Sequence, residues 1–158
     1  SLTMRTLLIA IQQDKASTDS VKKTIQHLKY ADNWNPKCEN ASIILAMAYV
    51  QKKYGVCELL VQEGVSLSMW TLLIVIQQDK TSLESVKKAI QHLKDTDNWD
   101  PKCHDAFIAQ VNASVQSKHD VFYLLVNEGF YPPMELLCFL LCAVVIDVDN
   151  LVDRYYRI

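Results

Sequence analysis

Shifted by 65 positions, the chain overlays itself without an insertion: Ser1 falls on Ser66, Met4 on Met69, Trp34 on Trp99, Cys38 on Cys103 and Gly64 on Gly129. The segment TLLIAIQQDK from Thr6 returns as TLLIVIQQDK from Thr71, VKKTIQHLK from Val21 as VKKAIQHLK from Val86, and DNWNPKC from Asp32 as DNWDPKC from Asp97. A gapless duplication of this kind restricts the fold to architectures that use one unit repeatedly, since both copies must satisfy the same packing positions. A third copy starts in register, with Met134 one further period beyond Met69, Leu137 on Leu72 and Leu151 opposite Val86. The chain is therefore predicted as one continuous domain: a first copy over 1–65, a second over 66–130, and a partial third copy or cap over 131–158.

Within each period four short apolar segments alternate with polar breaks, which predicts two helical hairpins of about 33 residues each. Residues 7–11 open the first helix; Val21, Ile25 and Leu28, spaced by four and three, mark the inner face of the second, with Lys22, Lys23, Gln26 and Lys29 on its solvated side. Ile43, Ala46, Met47 and Val50 are expected to mark the inner face of a third helix, and Val56, Leu59 and Leu60 that of a fourth. Ser17 or Asp19 is placed to cap the helix carrying Val21, with Ser82 or Glu84 in the second copy, and Gly64 suits a left-handed helix end. Spacings of three and four in place of two exclude strands from these windows, and three Gly with four Pro leave long elements uninterrupted. The predicted class is all-α.

The stretch LAMAYVQKKYGVCELLVQEG over residues 45–64, with its leading Leu and Ala, its Leu-Leu pair and its closing Gly, resembles the ankyrin repeat. The Thr-Pro-Leu-His opening of that family is missing, Lys52 and Lys53 stand where its Gly and His would be, and QQDKASTDS lengthens the first hairpin's connection. The resemblance implies an ankyrin-like helical-hairpin solenoid and, with it, a platform for binding other proteins inside a larger protein. A different alpha solenoid is the alternative.

A formal charge of −2 offers no net attraction for phosphate backbones, so nucleic acid is disfavoured as a partner. Half the residues are hydrophobic and 22% charged, which excludes a disordered chain. The apolar run over residues 136–146 is shorter than the ~20 residues a bilayer span needs. Five cysteines, an odd number, form no secretory framework, and Cys138 and Cys142 are spaced as neighbours on a helix face; reduced thiols and a cytoplasmic location are expected. Asn40 and Asn112 open Asn-Ala-Ser triplets that match the glycosylation pattern, with no signal peptide beside them.

Catalytic and cofactor chemistry finds no footing in the sequence. The Cys103-His104 pair, with His92 and His119 elsewhere, lacks the paired spacing of a zinc site, and the first copy has Glu39 in place of His104. Three glycines supply neither a phosphate loop nor a nucleophile elbow. The chain is expected to be no enzyme, to carry no metal or cofactor, and to act as a protein-protein interaction scaffold.

The candidate partner-binding residues follow from two arguments. Trp34 and Trp99 recur in the connector and would serve as aromatic anchors if exposed, whereas packing on Pro36 or Pro101 would make them structural. Positions that change polarity between copies supply the others: Leu45 and Tyr49 become Gln110 and Ser114, Arg5 becomes Trp70, and Glu58 becomes Tyr123. Gln110, Asn112 and Ser114 would then form a polar recognition patch, with Trp70 and Tyr123 adding aromatic contact. Two other functions compete with the scaffold. One is an RNA binder using the lysines that recur from Lys15 to Lys102, and the other a regulatory domain attached to an enzyme elsewhere in a longer protein. The segment over 134–146, apolar nearly all round, is expected to need covering, which points to self-association through residues 134–156 or to further repeats in a longer protein.

Overall fold

The structure, a computed structural model, describes residues 2–130. The third partial copy, Cys138, Cys142 and the self-association expected of residues 134–156 lie outside them. Among the described residues the regular structure is wholly helical: α1 (Met4–Gln12), α2 (Thr18–Tyr30), α3 (Glu39–Val50), α4 (Tyr54–Gln62), α5 (Met69–Gln77), α6 (Leu83–Asp95), α7 (His104–Val115) and α8 (His119–Asn127). Each boundary of α5 to α8 equals that of α1 to α4 advanced by 65.

Hydroxyl side chains start four of these helices. Thr3 accepts from the Thr6 amide, Ser17 from Ser20, Ser68 from Thr71 and Ser82 from Ser85, satisfying one of the free donors at each helix start. Ser17 and Ser82 are thus the caps of α2 and α6, while Asp19 and Glu84 stand in the first turn, where a carboxylate favours the positive end of the helix dipole. Cys38 and Cys103 precede α3 and α7 without a side-chain cap bond.

The helix ends share one device. Asp14, Asp32, Lys52, Gly64, Asp97, Ser117 and Gly129 all have positive φ. At each, two backbone bonds close the last turn; for α4 the Gly64 N–H donates to the Val61 carbonyl and the Val65 N–H to that of Leu60, both at 3.0 Å. Lys52 and Ser117 hold the left-handed conformation between α3 and α4 and between α7 and α8. Helix α5 ends differently: Gln78 is extended and the Thr81 hydroxyl donates to the Val75 carbonyl.

The chain divides into two compact units, Ser1–Asp100 and Pro101–Ile158, with the boundary inside the second connector. In the first unit α1 packs on α2, α3 on α4 and α5 on α6, while α3 also meets α1, α5 and α6, and α2 meets α4. In the second, α7 packs on α8.

Helix α3 is the centre of the first unit, and its neighbours explain where the expected inner face was drawn too narrowly. Ala41, Ile44, Leu45, Ala46, Ala48, Tyr49 and Val50 are all buried, whereas Ile43 and Met47 are only half-buried. A helix covered on several sides has no single apolar stripe, so spacing alone could not select its face. Helix α2 is the opposite case: Val21, Ile25 and Leu28 are its buried residues and its lysines are exposed, as the spacing predicts.

Candidate interaction surface

The recurring connector DNWxPKC is a structural joint built from small local bonds. Asp32 and Asp97 take the left-handed turn after α2 and α6. Asn33 Nδ2 then donates to the Leu2 carbonyl at 3.4 Å, and Asn98 Nδ2 to the Leu67 carbonyl at 3.1 Å, tying each connector back to the strandless segment before α1 or α5. Pro36 lies beside Gly64 and Pro101 beside Gly129, where an added Cβ would meet proline carbons at 3.6 and 3.8 Å. Trp34 and Trp99 are half-buried. The Lys94 ammonium stands 5.6 Å from the centre of the Trp99 ring, a cation–π arrangement.

Trp70 is the aromatic group the first unit leaves most open among the sequence-derived candidates, 38% exposed in the first turn of α5. It borders a groove of about 500 Å³ lined by Pro36, Cys38, Glu39, Ser42, Met69 and Asn98 among others. Ser42 Oγ donates to the Ser66 carbonyl at 2.9 Å and approaches Thr71 Oγ1 at 3.1 Å, which fixes the floor of this groove between α3 and α5.

A second groove, of about 400 Å³, runs between α4 and α6 and is lined by Tyr49, Tyr54, Cys57, Glu58, Lys88 and His92 among others. Lys88 Nζ lies 4.6 Å from the centre of the Tyr54 ring, and the Tyr54 hydroxyl is buried without a hydrogen-bond partner. His92 is buried, and its Nε2 accepts the Leu67 N–H at 3.1 Å. In the neutral ring the proton therefore resides on Nδ1. Burial pushes the His92 pKa below the usual histidine value, with the Asp95 carboxylate opposing. Burial likewise raises the Tyr49 phenol and pushes the Cys57 thiol up to about 12.

The polarity contrasts read from the sequence do not mark a recognition face. Leu45, Tyr49, Gln110 and Ser114 are all buried, and Asn112 is half-buried. A core can accept Gln110 because its Nε2 donates to the Phe130 carbonyl at 3.3 Å, although its Oε1 has no partner. Tyr123 is half-buried, edge-on to Phe122 with ring centres 5.9 Å apart. Of these positions Trp70 and Glu58 combine exposure with a groove, and Trp70 is the aromatic one. Sequence reasoning missed Tyr54 and its pairing with Lys88, which joins α4 to α6 and leaves no trace in the spacing of either segment.

Asn40 and Asn112 lie inside α3 and α7, with Ala41 and Ala113 buried beside them, not in the surface loop a glycan acceptor occupies. Among the described residues Cys38, Cys57 and Cys103 are free thiols, no group of three or more His, Cys, Asp and Glu could hold a metal ion, and no helix is long and apolar enough to cross a membrane. No protein-family model, curated protein or solved structure matches the chain.

Proposed function

We propose that the chain is a non-catalytic protein-interaction scaffold, an ankyrin-like helical-hairpin solenoid whose two 65-residue copies present grooves to a protein partner. The observation that carries this reading is Trp70, exposed at the rim of the α3–α5 groove. Large aromatic side chains supply much of the energy of protein interfaces, because burying one removes a great deal of apolar surface at little entropic cost. The first copy has Arg5 at the equivalent position, so the tryptophan belongs to the second copy alone and is not part of the repeated pattern. The lysines support the same reading: Lys29 pairs with Glu63, Lys88 covers Tyr54 and Lys94 covers Trp99, uses that brace the helices themselves.

A photo-crosslinking residue at position 70, with a control at exposed Asp19, tests the proposal in cells. Protein adducts formed at 70 and not at 19, and a bound partner whose affinity falls tenfold or more on Trp70→Arg, are expected. Adducts to RNA at 70, with binding that weakens steeply as salt rises, would favour the RNA-binding alternative instead.

A further inference from the structure

Two carboxylates line the α4–α6 groove from opposite walls, Glu58 on α4 and Asp95 on α6, and both are exposed. The buried Tyr49 ring of α3, 6.2 Å from the His92 ring, lies at its base, and walls and base all belong to the first unit. Neither acid is part of the repeated pattern: Tyr123 stands where the second copy would repeat Glu58, and Tyr30 where the first copy would have Asp95. The pair of acids therefore arises where α4 of the first copy faces α6 of the second.

Both carboxylates lack an ion-pair partner among the described residues, and Asp95 accepts from Gln91 Nε2 at 2.8 Å. The lysines around them are engaged elsewhere: Lys29 with Glu63, Lys88 over the Tyr54 ring and Lys94 over the Trp99 ring. Asp95 is also the last residue of α6, and Gln62, which ends α4, lines the same groove. Both helix dipoles thus add negative potential at this end, and a cation is what offsets it. No third His, Cys, Asp or Glu joins the two acids to form a metal site among the described residues, so the chemistry that fits is an organic cation.

We propose that the α4–α6 groove receives an arginine side chain from a segment of the partner protein. A guanidinium presents five donors in a planar fork that can bridge carboxylates on two walls, whereas the ammonium of a lysine is a single point of charge. Val61, 37% exposed in the same groove, offers apolar surface to the methylene stem. This extends the scaffold reading, on which it rests, to a second groove and gives the chemistry of what that groove takes.

The test titrates the isotope-labelled full chain with the peptide acetyl-Ala-Arg-Ala-amide at low salt and follows its amide resonances by NMR. Saturable shifts at Glu58, Gln91 and Asp95 are expected, with affinity at least tenfold lower for the citrulline peptide and for the chain carrying Glu58→Gln and Asp95→Asn. Both substitutions fall on exposed positions and keep an acceptor for Gln91, so the rest of the spectrum is expected to stay unchanged. The lysine peptide is expected to bind at least threefold more weakly, and equal binding overturns the guanidinium assignment. Absence of saturable shifts, or binding indifferent to both substitutions, overturns the proposal. So does binding that appears only after Arg154→Gln and Arg157→Gln, which would assign the groove to the chain's own C-terminal arginines. The peptide reports on the α4–α6 groove alone and crosslinking on position 70 alone, so failure of one reading is distinguishable from failure of the other.

Discussion

His92 shows how much a single position can change with its surroundings. Its first-copy counterpart, His27, is exposed, while His92 accepts a backbone N–H and is held neutral by burial. Since the folded pKa lies below the ordinary value, the unfolded chain takes up this proton first as pH falls. Stability from this residue is therefore complete above the ordinary histidine range and is lost as pH falls through it towards the folded pKa. Urea midpoints measured between pH 7.5 and 5 should decline over that window, and His92→Gln should flatten the decline. The left-handed helix ends give a second residue-scale expectation. Lys52, at φ 58°, bears the crowding of a Cβ that glycine lacks, so Lys52→Gly should stabilise by about 0.5–1 kcal/mol after glycine's extra unfolded-state freedom is counted. Gly64→Ala should cost about 1–2 kcal/mol, from the backbone and not from the ordinary 3.6 Å contact with Pro36. Both changes are read from chemical denaturation midpoints. Gly64 was legible in the sequence as a helix end, but the equivalent role of Lys52 was not, because nothing in a lysine announces positive φ.

The helices themselves were largely legible, for identifiable reasons. Ser17 and Ser82 are strong caps directly before regular apolar spacing, and α2 and α6 carry one buried stripe each. Helix α3 was legible as a helix but not in its orientation, since burial on several sides erases the stripe that spacing detects. The candidate site was less legible: the contrast between Leu45 and Gln110 suggested a surface, yet a hydrogen bond to a backbone carbonyl accommodates the amide inside. An asymmetry among the helix starts can be tested directly. Cys38 stands in extended backbone at the start of α3 with no cap bond from its side chain, where a serine hydroxyl could accept a first-turn N–H. Cys38→Ser should raise stability by about 0.5–1 kcal/mol, and Ser17→Ala should lower it by about 1 kcal/mol, both measured by urea denaturation.

At the scale of the whole chain, the two compact units predict that damage stays local. Phe122 is fully buried in α8, and Phe122→Ala should cost about 3–5 kcal/mol. Hydrogen exchange should then rise across α7 and α8 well before it rises across α1 to α6; an equal rise everywhere would show that the chain unfolds as one body. The period of 65 was legible from sequence at this scale because helix boundaries follow it, whereas a unit boundary at Asp100 carries no compositional signal. Cys57 offers a consequence of a different kind. Its thiol is buried in α4 and held protonated far above neutrality, while alkylating reagents attack the thiolate. Each modification of Cys57 in a neutral solution must therefore wait for α4 to open, and the rate at which iodoacetamide consumes this one sulfur becomes a built-in clock for how often the first unit breathes.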